Sequence, residues 1–166
     1  MSEERSSPVC YAAAGDDAYM GYAARDEIVA ALTELLEAER AGARVALASA
    51  KDADSDTLAA LMRAVRAAEA QWCAMLDRQL RRLDATPSRK TGAFYGKAMA
   101  IAAPLDRLAF LNRGQSWVVR RLEALMPRVR DDALHADLRA MLDSHRENIA
   151  VADAYQYQAQ PTPRSP

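Results

Sequence analysis

Four polar residues interrupt the apolar stripes of this sequence and are of types that can do chemistry. Each has an apolar residue three or four positions away on either side, and the four are Glu39, Glu69, Gln115 and His145. Residues at that spacing share one face of an α-helix, so these side chains are expected to point into a helical core. Carboxylate oxygens and an imidazole nitrogen are ligands for iron, manganese and zinc. The sequence therefore predicts one buried polar cluster that could bind a metal ion.

Two buried carboxylates need compensation, because burying an unpaired charge is costly. A transition metal could take one ligand each from Glu39, Glu69 and His145, with Gln115 as a weak ligand or a hydrogen-bond partner. Alternatively, protonated His145 could lie between the carboxylates while Gln115 completes a closed network without metal. A third arrangement is an ion pair with Arg113, the best placed of the basic residues.

Two further residues are expected around this cluster rather than as its ligands. Cys73 follows Glu69 by about one helical turn and could add a thiolate, although a lone helical cysteine is usually a small buried hydrophobic residue. Trp72 lies on the apolar stripe, and its indole N–H needs an acceptor such as a core carboxylate. We therefore place Gln115, Trp72 and Cys73 in the surroundings of the site.

Four segments rich in strong helix formers position these residues, and no alternating β-branched run is present. Cap residues and prolines give their bounds. The first begins near Asp26 and ends before Lys51, the second runs from Asp54 or Ser55 to the stop at 84–87, the third from Pro104 to before Pro127, and the fourth from Asp131 or Asp132 to Tyr155 or Tyr157. The sequence thus predicts an all-α fold.

The lengths of the links indicate how these helices connect. The first and third links are short and favour antiparallel hairpins, whereas residues 85–103 form a long middle link. A helix of about 25 residues is roughly 38 Å long, and a link of this length can run back along it even if 98–102 form a helical turn. We therefore predict an antiparallel four-helix bundle with ferritin-like connectivity and a long crossover between helices two and three. The four polar residues lie near the helix midpoints and should meet at one level.

Several segments resemble a known superfamily. Residues 35–43 and 141–149 are similar to the first and last helices of ferritin-like proteins of the rubrerythrin type, and the likeness covers about 26–155. Residues 91–99 and 111–119 resemble a bacterial family within that superfamily that carries no assigned activity. The resemblance implies a ferritin-like fold.

The resemblance also implies where metal ligands would lie. Di-iron members use a Glu on helices one and three and a Glu-x-x-His on helices two and four. Glu39, Glu69 and His145 match three of these six positions. The other three hold Trp72, Gln115 and Leu142. A standard di-iron site is therefore not expected, and the surviving residues would hold one metal ion at most.

Composition limits the classes of function. Half of the 166 residues are hydrophobic, which suits one domain with a sizeable core, and the net charge of −1 gives no field that would attract nucleic acid or a membrane. An acidic start and the lack of a long apolar run argue against secretion and membrane insertion. The two cysteines, Cys10 and Cys73, lie in different contexts, so a reducing cytoplasm is expected. We predict a bundle over 25–156 with flexible tails at 1–24 and 157–166.

Two functions of different class follow. The first interpretation is a degenerate ferritin-like bundle that has lost its metal and serves as a structural or partner-binding module. The alternative is a mononuclear non-haem protein that binds iron, manganese or zinc through Glu39, Glu69 and His145 and is redox-active toward oxygen or peroxide. The sequence leaves open whether the protein is an enzyme. We consider a second copy of the chain in a homodimer, another protein or a small molecule as partners. Neither nucleic acid nor a membrane is expected.

Overall fold

The computed structural model describes Asp17 and residues 19–159. Within residues 21–159, all regular secondary structure is helical and there are no strands. These residues form four long helices, one short helix and one turn of 3₁₀-helix. They are α1 (Arg25–Asp52), α2 (Asp56–Arg82), α3 (Phe94–Met99), α4 (Pro104–Leu125), the 3₁₀ turn (Met126–Arg128) and α5 (Asp132–Ala159). The four predicted helices are thus present, and α3 lies within the predicted middle link.

The helix ends follow the local chemistry of the sequence. Ser55 caps α2, since its side-chain oxygen accepts the N–H of Leu58 at 3.2 Å. Asp131 caps α5 in the same way, accepting the N–H of Leu134 at 2.6 Å. The prediction that Asp26 caps the first helix was wrong, because the cap position is Ala24 and Asp26 lies in the first turn. An acidic residue in that turn is favourable as well, since it faces the positive end of the helix dipole.

The four long helices contact one another in a ring, α1 with α2, α2 with α5, α5 with α4, and α4 with α1. Two hydrophobic clusters fill the interior. One cluster joins the N-terminal halves of α1 and α5 to the C-terminal halves of α2 and α4, and it includes Leu35, Leu76, Leu122 and Leu138. The other joins the opposite halves and includes Val45, Met62, Leu108 and Ala152. Burial of these side chains is the main favourable contribution to folding.

The second half of the middle link is anchored to the long helices. Arg107, which is 6 % exposed, donates hydrogen bonds to the carbonyl oxygen of Ile101 and to Asp52 at 2.8–3.0 Å. Ala98 on α3 is fully buried in the second cluster. The helical turn suggested at 98–102 therefore lies earlier in the chain, at Phe94–Met99, where an aromatic and an alanine can reach the core.

The predicted boundaries of the bundle differ from the structure at both ends. Helix α5 continues to Ala159, beyond the predicted start of the C-terminal tail at 157. Near the N-terminus, Ala23 is buried and donates its N–H to the carbonyl oxygen of Arg128 at 2.8 Å, so this part of the predicted tail packs on the bundle. Residues 1–16, 18 and 160–166 of the predicted tails lie outside the described residues. Among the described helices, none has an apolar stretch long enough to cross a bilayer.

Candidate functional site

Three of the four predicted cluster residues meet between the two hydrophobic clusters. Glu39 comes from α1, Glu69 from α2 and His145 from α5, and their exposed fractions are 0 %, 3 % and 1 %. Each offers one ligand atom, and these three atoms all lie within 4.8 Å of one another. The helix midpoints therefore bring two carboxyl groups and an imidazole to one level, as the spacing predicted.

The hydrogen bonds of His145 define the orientation of its ring. Nδ1 lies 3.0 Å from the carbonyl oxygen of Met141, which can only accept, so Nδ1 carries a proton and donates. Nε2 lies 3.0 Å from Oε1 of Glu39. One proton must lie between those two atoms, carried either by Glu39 or by the imidazole. Nε2 is therefore the atom that the ring presents to the carboxyl groups.

Burial changes the acid–base properties of both carboxyl groups. Removal from water raises the pKa of Glu39 to about 8. The pKa of Glu69 is raised well above its ordinary value, mainly by burial and secondly by the charge of Glu39. A positive ion placed between them would favour their ionised forms, so metal binding here would release protons.

Gln115 is buried at 2 % exposure, yet neither atom of its side-chain amide has a hydrogen-bond partner among the described residues. The Oε2 atom of Glu39 has no partner there either. The expectation that Gln115 completes a closed hydrogen-bond network is therefore wrong. Buried polar groups are nearly always paired, so these three atoms are the ones most available to a bound species.

The expected surroundings of the site are only partly as predicted. The indole N–H of Trp72 donates to Oγ of Ser144 at 3.2 Å, so its acceptor is a hydroxyl group and not a core carboxylate. Cys73 is half-buried, and burial, assisted by the charges of Glu39 and Glu69, raises the pKa of its thiol to about 12. A thiol with that pKa stays protonated at neutral pH, which disfavours it as a ligand.

The ion pair considered for Arg113 is wrong. Arg113 is exposed, and its guanidinium group lies 5.3 Å from the centre of the Phe110 ring rather than in the core. A cation over an aromatic face is a favourable surface contact. The carboxyl groups therefore have no arginine partner from this position.

Sequence reasoning missed Gly42, which makes room for Glu69. A Cβ atom at position 42 would lie 2.6 Å from Oε2 and 2.8 Å from Cδ of Glu69, closer than any real contact. Glycine within a helix costs about 1 kcal/mol relative to alanine. Its position one turn from Glu39 on α1 was the signal in the sequence that could have revealed this contact.

The sequence also did not reveal a cavity next to the site. It has a volume of about 510 Å³, and Glu69 and Gln115 are among its lining residues. The exposed residues Gly92 and Ala93 line it as well, so the cavity connects the neighbourhood of the carboxyl cluster with the surface beside α3.

Searches among curated proteins and among solved structures found no match. A family model described as "Domain of unknown function (DUF6306)" matches residues 26–154. The match includes all four long helices except Arg25 at the start of α1 and the last five residues of α5. The chain belongs to this DUF6306 family.

Proposed function

We propose that this protein binds one divalent transition metal ion, iron, manganese or zinc, through Glu39, Glu69 and His145. The observation that carries the proposal is the meeting of two carboxyl groups and an imidazole, all buried, with their ligand atoms within 4.8 Å. Such a donor set suits these metals. Oε2 of Glu39 accepts no hydrogen bond from a donor group of the described residues, so a metal ion would give it a partner besides the neighbouring carboxyl group of Glu69.

The orientation of His145 supports the same proposal. A histidine that binds metal through one ring nitrogen typically donates the other N–H to a carbonyl or carboxylate oxygen, which fixes the tautomer and the ring. Nδ1 of His145 donates to the Met141 carbonyl and leaves Nε2 for the metal. Ligands of one metal ion, with bonds of roughly 2.1 Å, lie roughly 3.0–3.4 Å apart. The 3.0 Å between Nε2 and Oε1 of Glu39 fits that separation.

The proposed activity is redox chemistry toward oxygen or peroxide. Three protein ligands leave coordination positions open for small molecules, and iron or manganese would supply the redox change. The protein's own part is to keep the ion among buried side chains and to hold His145 through the Met141 carbonyl. Gln115 and Glu69 both line the cavity, which offers a route for a small molecule to reach the site.

We further propose that the fold is a ferritin-like antiparallel four-helix bundle. The two hydrophobic clusters support this proposal. In one cluster the N-terminal half of α1 packs with the C-terminal halves of α2 and α4, and in the other the opposite halves pack together. That arrangement makes α2 and α4 run in the same direction, which requires a crossover such as the link that contains α3. Trp72 and Leu142 are buried in the first cluster where di-iron proteins of this type have ligands, so the proposal is limited to one metal ion.

A metal-free partner-binding module is the second candidate. The hydrogen-bonded pair of Glu39 and His145 favours it, because a protonated Glu39 with a pKa of about 8 can share one proton with the imidazole and remain uncharged. Such a module would act in the cytoplasm as a homodimer or through another protein. It would need no ion at the cluster, so metal content distinguishes the two candidates.

The test is metal binding to protein purified without chelator or affinity-metal steps. We expect about one iron, manganese or zinc ion per chain by elemental analysis, and stoichiometric Mn²⁺ or Zn²⁺ uptake by the metal-free protein in calorimetry. His145→Ala should lose this binding, while the matched variant His135→Ala, in the first turn of the same helix, should keep it. Absence of binding in the wild-type protein would favour the metal-free module, whereas equal metal binding by the two variants would show that His145 is not a ligand.

A further inference from the structure

The cavity beside the carboxyl cluster has the size and the lining of a small-molecule site. Its volume of about 510 Å³ lies in the range of known ligand pockets, roughly 300–1,000 Å³. It is bounded by α1, α4 and the start of α3, with Glu69 of α2 at one point of the wall. Apolar side chains form most of this wall, among them Ala38, Phe94, Phe110, Leu111, Trp117 and Val118. A ligand that fits must therefore be mainly apolar.

One wall of the cavity is formed in advance by aromatic packing. The ring of Phe94 stacks on that of Phe110, with centroids 4.8 Å apart. It also lies against Gly114, where an added Cβ atom would come within 2.7 Å of Cζ of Phe94. Because Gly114 leaves space for this ring, α3 can hold an aromatic wall close to α4. A wall already in place lowers the entropic cost of binding.

Gln115 is, with Glu69, a deeply buried polar residue of the cavity wall. Its side chain is 2 % exposed, and both the donor and the acceptor of its amide have no partner among the described residues. An unpaired buried amide costs free energy until something bonds to it. A hydroxyl group can donate to the amide oxygen or accept from the amide nitrogen, so one hydroxyl matches this residue. Arg113 and Arg120 also line the cavity, and both are exposed to solvent.

We propose that this cavity binds a neutral, mainly apolar organic molecule that carries one hydroxyl group, with the hydroxyl bonded to Gln115 and the apolar part between Phe94, Phe110 and Val118. The proposal goes beyond the metal site and does not depend on it. The ligand would lie beside Glu69, which is one of the proposed metal ligands. The metal-free protein is therefore the right material for the test.

The test compares 4-propylphenol with 4-propyltoluene, which share size and shape but differ in the hydroxyl group. Both are titrated into the full-length, metal-free protein in EDTA, by calorimetry and by the NMR shift of the indole N–H of Trp117, which lines the cavity. We expect saturable binding of one phenol per chain and about tenfold weaker binding of the hydrocarbon. Equal affinities for the two, or no saturable binding of the phenol, would overturn the proposal.

Three variants locate the binding site. Ala38→Phe fills part of the cavity and should weaken phenol binding about tenfold or more, whereas Ala48→Phe, on the same helix but outside the lining, should not. Gln115→Leu should lose the preference for the phenol, because the hydroxyl loses its partner. Retention of the phenol preference by Gln115→Leu would overturn the proposed hydrogen bond. The comparison of the two probes in Gln115→Leu remains decisive even if Ala38→Phe fails to fold.

Discussion

The carboxyl group of Glu69 occupies the space in which residue 42 would carry a side chain. A Cβ atom there would lie 2.6 Å from Oε2 of Glu69, and Gly42 is fully enclosed in α1 three residues after Glu39. The carboxyl group of Glu69 on α2 thus packs directly against the backbone of α1. Glu39 and Glu69 are held close together by this contact even though burial opposes placing two charges at such a distance.

Gly42→Ala should displace the Glu69 carboxyl group and weaken metal binding by about tenfold or more, since a misplaced ligand cannot complete the coordination set. The control is Gly96→Ala on α3, where an added Cβ has nothing within 4 Å. That change should leave binding unchanged and stabilise the fold slightly, by about 0.5 kcal/mol. Calorimetric titration with Mn²⁺ measures the affinities. Unchanged affinity in Gly42→Ala would show that Glu69 is not a ligand.

The metal-free protein should lose stability as pH rises from about 4.5 to about 8. Glu39 has a pKa of about 8 in the folded protein and 4.5 as its ordinary value, so between these limits the folded state binds more protons than the unfolded state. The free energy of unfolding then falls with pH, by at most about 1.4 kcal/mol per pH unit for this proton. Glu69 acts in the same direction, because burial raises its pKa as well.

Glu39→Gln isolates this contribution, because glutamine resembles the protonated carboxyl group at every pH. Urea unfolding in EDTA between pH 5 and pH 9 gives the free energies. We expect the free energy of unfolding to depend less on pH in the variant than in the wild type. The stability of the variant relative to the wild type should therefore rise with pH and change little above pH 8. Parallel curves for the two proteins would contradict the raised pKa of Glu39.

The two glutamines that are buried in the described part of the chain should respond oppositely to replacement by leucine. The amide of Gln115 is unpaired, whereas Gln79 donates to Asp137 at 2.6 Å and accepts from Arg82 at 2.7 Å. Gln115→Leu should stabilise the metal-free protein by about 1 kcal/mol, and Gln79→Leu should destabilise it by a similar amount. Urea unfolding at constant pH measures both. A loss of stability in Gln115→Leu would mean that its amide has a hydrogen-bond partner in solution.

Much of the helical framework could be predicted from local chemistry. Ser55, Pro104 and Asp131 marked three helix starts because capping and proline geometry depend on a few neighbouring residues. The end of α5 at Ala159 was predicted too early, at Tyr155 or Tyr157, although Pro161 is a helix stop signal two residues beyond it. The position of α3 depends on Phe94 packing against Gly114, a contact between distant segments that no local pattern contains.

The site shows the same division. The helical period placed Glu39, Glu69 and His145 in the core, and the structure brings them together as that period implied. The partners of Trp72 and Arg113 could not be deduced, because a side chain chooses among neighbours from several helices and only their packing decides. The cavity was invisible for a similar reason, since its space lies between residues of four helices. Whether a metal ion binds remains a prediction.

Anomalous diffraction from crystals of the protein loaded with Mn²⁺ or Zn²⁺ tests the central claim most directly. The account predicts one strong anomalous peak per chain, within roughly 2.0–2.2 Å of a carboxyl oxygen of Glu39, a carboxyl oxygen of Glu69 and Nε2 of His145. Nδ1 of His145 should still donate to the Met141 carbonyl. A peak elsewhere, or none while Nε2 of His145 keeps its hydrogen bond to Glu39, would contradict the account.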